Sequence, residues 1–441
     1  VGCDAGRDEA QDVTPGDTIF ALSSGSPPAA IAIIRISGPE ADAALQQMAG
    51  VLPEPRRATV ATLRTAEGDE RLDNALVIRF PGPRSATGED VVELHLHGGR
   101  AVVVAVLAVL EEMGLRPAEP GEFTRRAFDN GRIDLAEAEG LADLLAAETQ
   151  SQRRAALAMA GGSVSRMVAA WQERLLGLAA RLEAALDFSD EGEVGDDLPE
   201  GWSEDLAGLV GEIETMLGRP PVERLRDGVR VVIAGPPNVG KSSLLNWLAG
   251  RQAAITSAIA GTTRDLIEAP TAIAGAPFLL VDTAGLRDGE DEIESIGVAR
   301  ARESLAAADL ILWLGAPADC PDRERAILVE SMSDLRGGRV DPAADVGVSA
   351  ETGEGMDRLV ALLIERARAL LPHDAEVAIN ARHRRALAAA AGFLRAVPGE
   401  ADFLIASESL RQARGELDRV TGRAGVEDML DALFGRFCVG K

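Results

Sequence analysis

Cysteine is scarce in this chain. Its 441 residues include three, Cys3, Cys320 and Cys438, too few and too scattered for a disulfide framework, and an odd number leaves at least one thiol unpaired. A reducing compartment is therefore expected. Long apolar runs are missing too. The longest, Ala101 to Leu110, falls well short of the ~20 residues that cross a bilayer, and the acidic first ten residues hold no hydrophobic signal core. These absences lead us to expect a soluble, cytoplasmic protein with no membrane attachment. The chain opens on Val rather than Met, which marks its first dozen residues as a candidate reading-frame artefact. Lysine is the third shortage: Lys241 and Lys441 are the only two among 45 cationic side chains, the remainder being arginine. A compact, flexible ammonium kept at two positions points to sites where a guanidinium fork does not fit; chance retention is the plainer alternative.

What is present is carboxylate. Against 45 Lys plus Arg stand 71 Asp plus Glu, a net charge of −26, which disfavours a simple basic nucleic-acid module. With 46% hydrophobic and 26% charged residues the composition is globular, and at about 150 residues per domain roughly three domains are expected.

The pattern changes along the chain. From Asp17 to about Asn130 short strands, Ala30 to Ile36, Ala75 to Phe80 and Val91 to His97, alternate with helical patches at Glu40 to Met48 and Arg100 to Met113, as in an α+β domain. From Ile133 the period becomes helical, with Leu135, Ala138, Leu141, Ala142 and Leu145 on one face, and helix formers dominate as far as Leu186. An acidic stretch (Asp187 to Glu200), a helix around Leu206 to Leu217 and the linker Arg219-Pro220-Pro221 follow. Strand and helix then alternate: Val229 to Ala234, Ser243 to Ala249, Phe278 to Val281, Leu310 to Trp313, Ala326 to Val329, and a closing helix Leu359 to Leu371 before Pro372. That is the pattern of a parallel α/β sheet. Helices return at Arg382 to Val397, Phe403 to Val420 and Val426 to Phe437. The economical arrangement is an α/β domain inserted between two halves of one helical bundle: an N-terminal domain over 13–130, helical segments over 131–222 and 373–441, and the α/β domain over 223–372.

The sharpest motif is Gly235-Pro-Pro-Asn238-Val239-Gly240-Lys241-Ser242, between the strand Val229 to Ala234 and a helix starting near Ser243. Its glycines let backbone amides approach phosphate oxygens, the helix N-terminus favours an anion, Lys241 bridges the outer phosphates and Ser242 can hold magnesium. Forty residues on, a strand leads into Asp282-Thr283-Ala284-Gly285, a carboxylate to orient the magnesium shell and a glycine amide to sense a terminal phosphate. Between them Gly261-Thr262-Thr263 offers Thr263 as a second magnesium ligand. The segments together describe a nucleotide switch. The usual guanine-pairing Asn-Lys-x-Asp is represented after Val329 by Ser331-Met332-Ser333-Asp334, where only the Asp survives, with Ser349-Ala350-Glu351 as the supporting backbone motif. Base selectivity is thereby weakened by ~1–3 kcal/mol, the scale of a lost specific contact. The position that often carries a water-orienting Gln is Leu286. Glu290, Asp291, Glu292 and Glu294 are candidates to replace it, or simply a solvated loop.

At these residues the chain resembles the MnmE (TrmE) family of tRNA-modification GTPases, from Asp17 to Lys441. The resemblance rests on Ile34-Arg-Ile-Ser-Gly38, Thr87-Gly-Glu-Asp-Val91, Pro120-Gly-Glu-Phe-Thr124, Arg126 to Ala136, the nucleotide motifs and the terminal Phe437-Cys-Val-Gly-Lys441. It implies a folate-binding-like α+β domain that also dimerises, a discontinuous helical bundle and an inserted Ras-like P-loop GTPase domain. It further implies action with the FAD-containing MnmG to place an aminomethyl or carboxymethylaminomethyl group at position 5 of the wobble uridine of tRNA, using a 5-formyl or methylene tetrahydrofolate. Folate contacts would map to Arg35, Glu93, Arg132 and Lys441, nucleotide contacts to 238–243, 257–263, 282–285, Asp334 and 349–351, including Ser243, Ala258 and Ala260. Potassium would be held by Asn238, Ser257, Ile259 and Thr262, water by Glu294, and Cys438 would act as nucleophile or as a shaping residue. Two rival readings remain, a regulatory or ribosome-assembly GTPase and a folate-binding GTPase scaffold. Arg125 with Arg126, and Arg382, His383, Arg384 and Arg385, form basic clusters that either meet tRNA phosphate or make solvated helix faces.

Overall fold

The computed structural model describes residues 16–189, 200–250, 267–282, 302–336, 339–372, 377–397, 403–423, 427–435 and 437–440. Contacts divide the chain into two compact units, 1–138 with 425–441, and 139–424.

The first unit is built on β1 (Ile19–Leu22), β2 (Ile31–Ser37), α1 (Ala41–Ala49), β3 (Thr59–Arg64), β4 (Arg71–Phe80), β5 (Val91–His97), α2 (Arg100–Glu112), β6 (Arg116–Pro117) and α3 (Glu122–Asp129). The strands order β3-β4-β5-β2-β1-β6, antiparallel except for the β1–β6 pair. Alternation decides the faces. Ala32, Ile34 and Ile36 of β2 and Val92, Leu94 and Leu96 of β5 point to a core shared with Leu45 and Met48 of α1 and Val106 and Leu110 of α2. Each Val, Leu, Ile or Met among them contributes about 1.5–3 kcal/mol by leaving water. The register opposes Arg35 to Glu93 on the other face.

The second unit takes up the chain within α4 (Leu135–Ala146) and continues through α5 (Gln150–Ala160), α6 (Ser163–Ser189), α7 (Trp202–Gly218) and α8 (Glu223–Asp227). Gly140 lets α4 and α5 cross closely, since a β-carbon there would lie 2.4 Å from the Ala160 nitrogen. Trp202 is fully buried and its indole donates to the Leu178 carbonyl at 2.9 Å, joining α7 to α6. The helices Ala381–Ala396 and Phe403–Thr421 pack on each other, the first also on α7 and the second on α6. The two helical stretches, 139–218 and 381–421, thus share one bundle. Between them lies a doubly wound sheet of β7 (Val229–Ala234), β8 (Ile267–Ile273), β9 (Ala276–Asp282), β10 (Leu310–Trp313), β11 (Ala326–Glu330) and β12 (Val346–Gly347), with α9 (Lys241–Gly250) and the helix Met356–Arg368, in the order β12-β11-β10-β7-β9-β8. Its strands are parallel except β8, an antiparallel edge partner of β9. Pro270 lies in β8, where an edge strand tolerates a missing amide. Among the described residues no helix is long and apolar enough to cross a membrane.

Candidate functional site

The centre of the sheet's carboxyl edge carries the phosphate loop. β7 ends at Ala234, Gly235 turns the chain at φ +151°, and Asn238 and Gly240 take φ +60° and +90° before α9 begins at Lys241. A β-carbon on Gly235 would stand 3.0 Å from the Leu314 carbonyl carbon, so the neighbouring strand end leaves room only for glycine. Lys241 is buried, and its ammonium donates to the Gly235 and Pro236 carbonyls at 3.2 and 2.6 Å. The ammonium is thereby folded back over the loop. The Ser242 hydroxyl donates to Asp282 Oδ2 at 2.7 Å, and Asp282, at the end of β9, is 1% exposed. A hydroxyl and a strand-end carboxylate side by side form a hard-oxygen pair that suits magnesium. Thus the loop and Asp282, forty residues apart, are brought together.

The other wall is β11 and the turn that follows. The Ser331 hydroxyl donates to the Val239 carbonyl of the phosphate loop. Met332 takes φ +57° and is exposed, and the amide of buried Ser333 donates to the Val348 carbonyl at 3.1 Å. Asp334 lies on the 3-10 turn Ser333–Arg336. Ser349 is buried and ties its own turn: its amide donates to the Glu354 carbonyl at 3.0 Å, its hydroxyl accepts from the Thr352 amide at 3.2 Å, and Ala350 and Glu351 follow in that turn. A cavity of about 430 Å³ opens between these walls, lined by Asn238, Val239, Ala316, Pro317, Ser331 and Met332 among others. The Ser331 tie could not be read from the sequence, because it joins residues 92 positions apart. Ser257, Ala258, Ile259, Ala260, Gly261, Thr262, Thr263, Thr283, Ala284, Gly285, Leu286, Glu290, Asp291, Glu292 and Glu294 lie outside the described residues.

In the first unit Arg35 Nε and Nη2 both donate to Glu93 Oε1, at 3.1 and 2.8 Å, and the guanidinium lies over the Phe123 ring at 5.8 Å. His95 Nε2 is 3.4 Å from Glu93 Oε2. Arg132 is exposed, and its side chain passes close to Gly88. The C-terminal segment docks on this unit: Val439 bridges Pro120, the Gly440 carbonyl accepts from the Ser23 hydroxyl at 2.8 Å, and a β-carbon on Gly440 would lie 2.4 Å from the Leu22 carbonyl oxygen. The segment thus meets the end of β1, the strand whose Leu22 opposes Ile34 of β2, next to Arg35 in sequence. Cys438 within it is exposed; Lys441 lies outside the described residues. His95 and Phe123 were not singled out from sequence; the two-residue step from Glu93 to His95 was the available signal for the former.

Most cations of the two basic clusters are engaged within the chain, whereas Arg385 stays exposed with its Nε donating to the Ala381 carbonyl at 3.3 Å. Arg126, buried, bonds Asp17, Glu89 and Glu122, and Arg125 pairs with Asp431 at 2.9 Å. Burial pushes the Glu122 carboxyl up, but bonds from Arg116, the Glu119 amide and Arg126 outweigh it and hold the group below the ordinary carboxylate range. Arg382 donates to both oxygens of Glu139 at 2.7 and 2.9 Å, His383 is fully buried with Nε2 3.0 Å from the same carboxylate, and Arg384 donates to the Leu217 and Arg219 carbonyls at 2.6 and 3.0 Å. These cations close helix ends and bury carboxylates, a role that a local run of Arg and His does not disclose.

Comparison with known proteins covers the whole arrangement. The family described as GTP-binding protein TrmE N-terminus matches residues 18–132, and that described as MnmE helical domain matches 135–438. The tRNA modification GTPase MnmE of Rhizorhabdus wittichii is 57% identical over 430 residues, covering 96% of this chain and 97% of that protein. The protein of the same name from Erythrobacter litoralis is 56% identical, covering 96% of this chain and 100% of that one. Among solved structures, the G domain of the T. maritima FeoB iron transporter matches 32% of this chain and 98% of its own, at 26% identity and a TM-score of 0.25.

Proposed function

Because the chain belongs to the MnmE family of tRNA modification GTPases, we propose that it hydrolyses GTP at the loop Gly235–Ser242 to drive modification of the wobble uridine of tRNA. The reading is that, with an FAD-dependent partner of the MnmG type, it installs an aminomethyl or carboxymethylaminomethyl group at uridine position 5 from a tetrahydrofolate one-carbon unit. The observation that carries the nucleotide part is the pairing of Ser242 with Asp282 beside a buried Lys241 on a strand–loop–helix.

The residues divide the work by chemistry. Loop amides and the α9 N-terminus cradle the phosphates. Lys241 turns from the Gly235 and Pro236 carbonyls toward the outer phosphate oxygens. Ser242 would ligate magnesium, with Thr263 as the second protein ligand and Asp282 orienting its shell; the ion supplies charge neutralisation across the phosphates. Asp334 accepts from the guanine edge, and Ser349, Ala350 and Glu351 present the supporting turn. Glu294 orients the attacking water in the place of a Gln. Potassium at Asn238, Ser257, Ile259 and Thr262 would offset charge developing on the leaving oxygens, in G domains paired within a homodimer.

In the first unit a folate fits the groups present. Among the described residues Glu93 Oε2 faces only the long 3.4 Å approach of His95, which suits the donor edge of a pterin. Arg35, Arg132 and Lys441 are cations for its carboxylates, and Cys438 stands exposed on the docked segment. The test is mass analysis of wobble uridine in tRNA from a strain lacking this protein. Loss of the modification is expected, restored by the native chain and not by Lys241→Ala. Normal modification in that strain would overturn the reading.

A further inference from the structure

The strand end that faces the base carries Ser331 and Met332 where Asn and Lys are usual, and the bonding of Ser331 gives that change a definite consequence. A hydroxyl has one proton to donate. The Ser331 hydroxyl gives it to the Val239 carbonyl, which can only accept, so toward a ligand Ser331 can itself only accept. An asparagine amide has two N–H donors and a carbonyl; it could hold the loop and still donate to a base. Met332 offers a thioether with no donor at all, its methyl lying 3.4 Å from where a β-carbon on Gly240 would be. The Ser333 amide is taken by the Val348 carbonyl, and the Ser333 hydroxyl, on a side chain 2% exposed, has no surface to present.

Guanine asks for two kinds of partner. N7 and O6 accept, whereas the N1 and N2 hydrogens donate. Asp334 supplies an acceptor for the second pair, and the backbone of the turn beginning at Ser349 can serve O6. From the side chains of residues 331–333 no donor remains for N7. We propose that this site reads guanine through its N1, N2 and O6 edge and is blind to N7, with Ser331 as the residue that sets this specificity by committing its proton to the phosphate loop. The proposal rests on the nucleotide-site reading above.

The test is competition against a fluorescent GDP analogue on the full chain with magnesium, using GTP, 7-deaza-GTP and ITP. Native protein is expected to bind 7-deaza-GTP within about twofold of GTP, while ITP, which lacks the 2-amino group, is weaker by about fivefold or more. Ser331→Asn should separate GTP from 7-deaza-GTP by about five- to tenfold, and Ser331→Thr, which keeps the hydroxyl, should behave as native. Thermal melting of each variant establishes that it is folded, and the native measurement stands without any variant. Native protein that rejects 7-deaza-GTP by about fivefold, or a folded Ser331→Asn that gains no such rejection, overturns the proposal. A fluorescent nucleotide that fails to bind, or binds equally to Lys241→Ala, instead overturns the nucleotide-site reading and this proposal with it.

Discussion

Gly355 takes φ +73°, and a β-carbon there would lie 1.9 Å from the Gly347 carbonyl oxygen; Gly353, two residues earlier, takes φ +78° with nothing within 4 Å. The two positions separate backbone strain from collision. Gly353→Ala should cost only the left-handed penalty, about 1–2 kcal/mol. Gly355→Ala adds a clash with backbone, which cannot rotate away, and displaces the turn in which Ser349 accepts from Thr352. We expect Gly355→Ala to lower both the melting temperature and nucleotide affinity well beyond Gly353→Ala, as read by thermal melts and fluorescent-GDP titration; equal effects would contradict this. At the same scale Lys241, Ser242 and Asp282 were legible in the sequence, because a phosphate loop is a local pattern with a fixed strand–helix context. Ser331's tie to Val239, the pairing of Arg382 with Glu139 and the burial of His383 were not. Each depends on a partner far along the chain.

Among the elements, α5 shows how a connection is anchored. Thr149 caps it by accepting from the Gln152 amide at 3.2 Å, while Gln152 Oε1 accepts from the Glu148 and Thr149 amides at 2.9 and 2.8 Å. The Gln152 amide nitrogen donates outward to the Leu225 carbonyl of α8 at 2.9 Å. One side chain thus closes a helix end and holds the chain that enters the sheet. Gln152→Ala should destabilise by about 1–2 kcal/mol. Gln152→Glu keeps the acceptors but not the donor, and should fall between native and Ala in chemical denaturation; a Glu variant no better than Ala would place the effect elsewhere. Elements of strong periodicity, such as β5, β7 and β10, matched their expected spans. The strands β1, β3 and β8 and the helix α3 were not expected. β1 has four residues, β8 holds a proline at a sheet edge, and α3 is polar overall, so each gains its conformation from tertiary partners more than from its own pattern.

Across the whole molecule, the excess of carboxylate that argues against a broad nucleic-acid surface is partly internal. Glu139 joins α4 to the helix Ala381–Ala396, and its partner Arg382 continues to the Arg419 and Val420 carbonyls at 2.6 and 2.9 Å, at the end of Phe403–Thr421. Burial pushes the Glu139 carboxyl up, but bonds and charge from His383 and Arg382 prevail and bring it down to about 2. A folded-state value below the unfolded one means that the ionised group favours the fold. Its contribution, about 3 kcal/mol, is fully present above pH ~4.5 and is lost as pH falls through ~2. Other carboxylates, Asp17 and Glu122 among them, are also held below the ordinary carboxylate range by arginine partners, so the native acid transition alone does not isolate this one. Glu139→Gln does. The variant keeps the shape, removes the charge and leaves Arg382 without its carboxylate counter-charge, a loss of about 3–5 kcal/mol when one member of a buried pair is removed. We expect denaturation at neutral pH to show a gap of that order between native and variant, narrowing steadily toward pH 2–3 as native Glu139 takes up its proton. A gap that stays constant with pH would mean that packing rather than charge holds the three helices at this point.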